Sequence, residues 1–268
     1  YFKKVAKREI KRKFINKILS SLSPAPKYYP RMKKINAEGP EILGSLPYIE
    51  PMNIDRFKSE IENENSIVVD AREIEAFGGA HIPDSINISL RSAFPIWTGW
   101  ILDETFPVWA GRMLSEESNI YLILPDHSTI ETISRHLVRL GYKNVAGYLQ
   151  PGIKGWIESG EHFESLNMMS VHNLKNLIEE KKDFQLLDVR REDEWKEEHI
   201  PGAENIYVPF LKEKLNQLDK EEKTITYCGS GYRASIAASI LKRNGFKKVH
   251  NIPGSMSAWL AAGYETEN

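Results

Sequence analysis

Along residues 170–262 the apolar positions switch repeatedly between a period suited to strands and one suited to helices. Phe184–Asp188, Thr224–Tyr227 and Lys248–Ile252 are short runs weighted toward apolar, β-branched and aromatic side chains, and each reads as a strand. Between them Leu174, Leu177 and Ile178 follow a Ser170 cap at helical spacing, as do Ile236, Ile240 and Leu241 within Ala234–Arg243. Shorter helices are expected at Glu192–Glu197, near Pro209–Leu218 and near Ser255–Ala262, with a strand near Asn205–Tyr207. This alternation predicts an α/β fold, a mainly parallel sheet with helices on both faces. In such sheets ligands bind beyond the carboxyl ends of the strands.

The same pattern occurs earlier in the chain. Ile67-Val68-Val69-Asp70-Ala71-Arg72 corresponds to Gln185-Leu186-Leu187-Asp188-Val189-Arg190, His81-Ile82-Pro83 to His199-Ile200-Pro201, and Asn87-Ile88 to Asn205-Ile206. Each pair lies 118 residues apart, and register kept over such a span marks two copies of one domain. Leu140-Gly141-Tyr142 then matches Asn244-Gly245-Phe246 at a separation of 104, so the first copy carries 14 extra residues around Ser89 to Glu117. That stretch holds Trp97, Trp100 and Trp109, which are expected to pack an interdomain or upstream interface. The implied division is an N-terminal segment over 1–46, a first domain over 47–165 and a second over 166–268.

Lys3, Lys4, Lys7, Arg8, Lys11, Arg12, Lys13 and Lys17 surround Val5, Ile10, Phe14, Ile15 and Ile18 in an amphipathic helical pattern. A membrane-surface helix has this pattern. The preferred reading is a helix docked on, or left from, an upstream domain, with its basic face in water. Ser23-Pro24-Ala25-Pro26, Tyr29-Pro30 and Gly39-Pro40 read as an extended, semi-rigid linker. Tyr1 at the first position leads to the expectation of a fragment or processed chain.

Composition narrows the function classes. With 268 residues, 41% of them hydrophobic, one or two packed cores fit, and a net charge of -1 supplies no general attraction to nucleic acid or membrane. Groove-reading motifs, membrane-length apolar runs and a signal-peptide core are absent from the sequence. A single cysteine makes no internal disulfide, which suits a reducing cytoplasm. The seven histidines are scattered without metal-ligand spacing, so neither a metal nor another cofactor is expected.

That cysteine, Cys228, follows the Thr224–Tyr227 strand pattern and opens Cys228-Gly229-Ser230-Gly231-Tyr232-Arg233 ahead of a helix. Two glycines let the backbone curl so that successive N–H groups converge, and the helix dipole adds partial positive charge. A thiolate, or a sulfur carried on it as a persulfide, suits such a cradle, and Arg233 adds a charge favouring the thiolate. A lone cysteine is usually a small buried hydrophobe. Glycines at two of the next three positions and an arginine five residues on are not needed for that role.

With these motifs the chain resembles a tandem of rhodanese domains. The second copy carries the family's Asp-x-Arg (Asp188, Arg190), its His-Ile-Pro-Gly-Ala-x-Asn-Ile segment (His199 to Ile206), its Cys-x-x-Gly-x-Arg loop (Cys228, Gly231, Arg233), and a late Gly254 and Trp259. The first copy departs from the pattern: Leu124 takes the place of Cys228, Pro125 lacks an N–H, and Asp126 puts a negative charge where an anion should bind. It resembles an inactive rhodanese domain. Pro24 to Asn36, Gly39-Pro40 and Phe94 to Leu102 are further similar to the linker and insertion of fused bacterial proteins that join a metallo-β-lactamase-fold persulfide dioxygenase to rhodanese domains.

The resemblance implies a sulfurtransferase in which Cys228 takes sulfane sulfur from thiosulfate or a low-molecular-weight persulfide and passes it to a thiophilic acceptor. Cys228 and Arg233 are the catalytic candidates, while Gly229, Ser230, Gly231 and Tyr232 line the donor site. The implied partners are the small donor and acceptor and an upstream dioxygenase domain. Two alternatives stay open: a docking or channelling module of that dioxygenase with little turnover of its own, and a cysteine-dependent phosphatase, whose dual-specificity relatives have a loop one residue longer. Asp188 either orients the loop or ends its strand, and Tyr232 either shapes the donor site or covers the loop. Arg190 and Glu194, at i and i+4, are expected to form an ion pair, and His199 to be a hydrogen-bonded turn residue.

Overall fold

The computed structural model describes residues 2–21, 26, 28–40, 42–105, 119–142 and 145–268. Helices α1 (Phe2–Ser21) and α2 (Tyr29–Glu38) precede two parallel sheets. The first is built from β1 (Glu50–Met52), β2 (Ser66–Asp70), β3 (Ile86–Asn87), β4 (Asn119–Ile123) and β5 (Val145–Leu149) in the order β1-β5-β4-β2-β3. Its helices are α3 (Ile54–Ile61), α4 (Ile74–Gly79), α5 (Phe94–Thr105), α6 (Ile130–Arg139) and α7 (Gly152–Glu158). The second sheet repeats that order as β6-β10-β9-β7-β8, from β6 (Asn167–Met168), β7 (Gln185–Asp188), β8 (Glu204–Asn205), β9 (Thr224–Tyr227) and β10 (Val249–Asn251). Around it lie α8 (Val171–Glu179), α9 (Glu192–Glu197), α10 (Leu211–Lys214), α11 (Tyr232–Arg243) and α12 (Ser255–Ala261). Strands β2 and β9 are buried along their whole length, as strands covered on both faces must be.

Strand register fixes the equivalence of the copies. Asp70 pairs with Ile123 across the first sheet, and Asp188 with Tyr227 across the second. Leu124 and Cys228 therefore hold the same position, and the extra residues fall between β3 and β4, where α5 lies. Trp109 is outside the described residues. Trp97 and Trp100 of α5 meet Tyr207 of the second domain edge-on, with ring centroids 6.4 and 6.3 Å apart, and Trp100 also meets Phe210.

Two expectations change. The segment read as an extended linker contains α2, because Pro30 sits in its first turn, where a missing N–H breaks no helical bond. Tyr28 is buried at Gly99 of α5, and Arg31 donates from Nε and Nη2 to the Leu140 carbonyl at 3.2 and 2.7 Å, so α2 is seated on the first domain. Near Pro209–Leu218 the expected helix is instead a 3₁₀ turn, the one-turn α10 and another 3₁₀ turn.

The two domains share a continuous apolar cluster that includes Val69, Ile88 and Phe94 of one and Ala234, Ile236 and Leu241 of the other. Polar bonds cross the same seam. Ser235 Oγ donates to Asn87 Oδ1 at 2.6 Å, the Asn87 N–H donates to Ser239 Oγ at 3.2 Å, and Arg243 Nη1 donates to the Asp84 carbonyl at 2.6 Å. Helix α11 thus rests on the β3 edge of the first domain.

Candidate active site

Cys228 is the first residue beyond β9, and its side chain is almost wholly enclosed. The Gly231 N–H donates to Cys228 Sγ at 3.2 Å. Gly231 takes φ of +101°, and a β-carbon there would come within 3.2 Å of Ile74 Cδ1 and 3.3 Å of Pro253 Cα. Glycine is required by both backbone and space. Among the described residues no protein acceptor is bonded to the N–H groups of Gly229, Ser230, Tyr232 or Arg233, which flank Gly231 at the N-terminus of α11.

The first turn of α12 clasps the loop from behind. Cys228 N–H donates to Ser255 Oγ at 3.0 Å and Met256 N–H to the Cys228 carbonyl at 3.0 Å. Ser257 gives both its N–H and its hydroxyl to the Gly229 carbonyl, and Gly254 N–H reaches the Ser230 carbonyl.

Arg233 is held by a carboxylate the sequence assigned elsewhere. Its Nη1 and Nη2 donate to Glu194 Oε2 and Oε1 at 2.7 and 2.8 Å. Burial opposes the guanidinium charge, but the Glu194 bond and the nearby Cys228 sulfur outweigh it and hold the group above its ordinary value. Burial likewise opposes the Glu194 charge, and Arg233, assisted by Arg191, outweighs it and keeps that carboxyl below its ordinary value. The expected Arg190–Glu194 pair does not form. Arg190 instead donates from Nε and Nη2 to the fully buried Asp188 carboxylate, and from Nη2 to the Glu198 carbonyl at 2.7 Å. A carboxylate buried at a strand end has first demand on the adjacent cation.

The first copy separates residues that hold the fold from residues specific to the loop. Arg72 binds Asp70 as Arg190 binds Asp188, and it reaches the Ala80 carbonyl at 2.7 Å. His81 stacks on Phe77 and bonds its carbonyl, just as His199 stacks on Trp195 and bonds that carbonyl at 2.9 Å. These arrangements occur with or without a thiol, so they belong to the scaffold. The Glu194–Arg233 pair has no counterpart, since Ala76 and Thr129 stand at those positions. Aligning the copies at the 118-residue separation would have exposed Glu194 as a charge gained only beside the cysteine.

Tyr232 is buried, and its hydroxyl donates to the Ser89 carbonyl of the first domain at 2.8 Å, so this side chain joins the domain seam. Ser230 is exposed at the tip of the loop. In the first copy Asp126 fills its own loop: its carboxylate accepts the Ser128 N–H at 2.8 Å and also bonds the Ser128 hydroxyl. Among the described residues no group of three or more His, Cys, Asp or Glu side chains is arranged to hold a metal ion, and no helix is long and apolar enough to cross a membrane.

The rhodanese-like domain family matches residues 53–159 and again 170–262. The chain belongs to that family and contains its domain twice. It is 32% identical over 106 residues to the putative sulfur carrier protein YrkF of Bacillus subtilis (strain 168), an alignment covering 40% of this chain and 57% of that protein. It is 37% identical over 91 residues to the putative sulfurtransferase YtwF of the same organism, covering 34% of this chain and 87% of the relative. To the thiosulfate sulfurtransferase GlpE of Coxiella burnetii (strain RSA 331 / Henzerling II) it is 35% identical over 81 residues, covering 30% of this chain and 76% of the relative.

Proposed function

We propose that the protein is a sulfurtransferase that carries sulfane sulfur on Cys228. The observation that carries this reading is the loop itself: an enclosed Sγ accepts the Gly231 N–H, and the neighbouring N–H groups at the start of α11 have no protein acceptor among the described residues. The Cys228 thiolate attacks the outer sulfur of thiosulfate, forming an S–S bond as the donor's own S–S bond breaks. The bonding pair leaves with sulfite. With a low-molecular-weight persulfide the leaving group is the corresponding thiol, which takes the proton. The resulting Cys228 persulfide anion lies among backbone donors, which stabilise it without a cofactor. A thiophilic acceptor then removes the outer sulfur and restores the thiolate. The names of YtwF and GlpE support the reaction class. Intact-mass measurement after exposure to thiosulfate or glutathione persulfide tests it. Gain of one sulfur by the full chain and none by Cys228→Ser is expected, and equal gain by both would overturn the reading.

A second reading, that the tandem docks on and exchanges sulfur with a metallo-β-lactamase-fold dioxygenase, is favoured by the apolar side chains that α1 presents to water, among them Ile10, Phe14 and Leu19. Persulfide consumption by such a dioxygenase, with and without the tandem, tests it. An unchanged rate removes its support.

A further inference from the structure

We propose that Ser255 is a positioning residue for the nucleophile, an inference that rests on the sulfur-transfer reading of Cys228. Ser255 is fully buried and takes φ of +46°, in the left-handed region where a β-carbon crowds the following carbonyl. The first domain shows the unstrained solution at the same place. Helices α7 and α12 correspond residue for residue: each has a tryptophan, Trp156 or Trp259, whose indole N–H donates to the carbonyl six residues on. The first residue of α7 is Gly152, at φ of +63°. Glycine adopts that conformation freely, whereas the serine in the active copy holds strain that its hydroxyl must offset.

The hydroxyl makes two bonds. Ser255 Oγ donates to the Ile252 carbonyl at 2.8 Å, which fixes its rotamer, and it accepts the Cys228 N–H at 3.0 Å. Met256 N–H takes the Cys228 carbonyl, so both main-chain polar groups of the nucleophile are tied to the first turn of α12. Pinning them fixes the direction in which Cβ projects Sγ toward the Gly231 N–H. Where the first copy has Leu124 there is no sulfur to aim, and Gly152 offers no hydroxyl. The pairs Cys228 with Ser255 and Leu124 with Gly152 separate the two copies consistently.

Strain and hydroxyl can be separated experimentally in the full chain. Ser255→Gly removes both, so its thermal midpoint should stay at or above that of the parent while kcat for sulfur transfer from thiosulfate falls about tenfold, a loss typical of one hydrogen bond. KM should change little. Ser255→Ala removes the hydroxyl but keeps the strain, so it should lose rate similarly and also melt earlier. In both variants the pH midpoint for alkylation of Cys228 by iodoacetamide should move upward, because a less constrained sulfur loses its N–H donor. Parental rate and alkylation profile in Ser255→Gly would overturn the proposal. The alkylation profile requires no sulfur transfer, so it still decides the Ser255 question if the parent chain takes up no sulfur, a result that would instead overturn the proposed function.

Discussion

Glu194 grips Arg233 through two parallel hydrogen bonds of 2.7 and 2.8 Å, so the one arginine of the Cys228 loop is already charge-compensated. Such fork-to-fork pairing fixes the guanidinium plane as well as its position. Gly229 lies beneath it, its β-position 3.4 Å from Arg233 Nη2, an ordinary contact distance. The pair reaches from α9 to α11 and ties the loop's far end to a neighbouring helix. In the proposed reaction an anionic donor would compete with Glu194 for that charge.

Releasing Arg233 should therefore alter donor preference. Glu194→Gln keeps the shape of the side chain and removes its charge. It is expected to lower KM for dianionic thiosulfate by about two- to tenfold, with a smaller effect on a persulfide donor. Because the pair is largely shielded from water, stability should fall by about 1–3 kcal/mol, less than for a fully buried pair. Steady-state kinetics with both donors, together with urea unfolding, checks both statements.

The same pair predicts an acid response. The folded-state carboxyl of Glu194 lies below its ordinary value, so its stabilising contribution is complete above the unfolded value of about 4.3 and is lost as pH falls through the lower folded value. The stability gap between parent and Glu194→Gln should be constant from neutral pH to about 5 and close in more acidic buffer. Thermal midpoints across that range give the comparison.

A thiol in the first copy should not restore chemistry. In a Cys228→Ser background, Leu124→Cys is expected to take up no sulfur from thiosulfate, because Pro125 offers no N–H and Asp126 already occupies the Ser128 N–H. Mass spectrometry of the double variant reads the result directly. Sulfur uptake there would mean that the loop sequence matters less than its place at the strand end.

The seam predicts joint unfolding. Ser235→Ala would leave Asn87 Oδ1 without its buried donor, a loss of about 1–3 kcal/mol. Because one apolar cluster runs through both domains, urea should still produce a single transition by tryptophan fluorescence and by far-UV circular dichroism. Two separated transitions would show that the domains are energetically independent.

Much of this was legible in the chain because its signals are local or repeated. The alternating periods gave the sheet and its flanking helices, and the constant 118-residue separation located the second copy. The cysteine, two glycines and arginine marked the loop within six residues. The partner of Arg233 was not legible, because Glu194 lies 39 residues away and its nearer neighbour Arg190 offered a helical pairing rule. That rule failed because Asp188 is buried and takes the arginine first. Helix α2 was hidden for a different reason: proline breaks helices inside but not at their first turn, and spacing alone did not fix where the turn began. Ser255 read as an ordinary residue at a helix start, since a sequence does not display the sign of φ.

Helix α11 is covered from Tyr232 through Leu241 at every residue except Arg233, so it has no face that composition had to adapt to water. A surface helix is selected partly by what it shows outside. This one is selected only by what it touches, and part of that belongs to a domain without a thiol. A chain trimmed to begin at residue 166 would uncover Tyr232, Ser235 and Ser239, which bond the first domain, together with Ile240, which shares a cavity with Ile86 and Ile101, creating a sticky surface on the very element that follows the cysteine loop. For α11, the first domain stands where water would otherwise be.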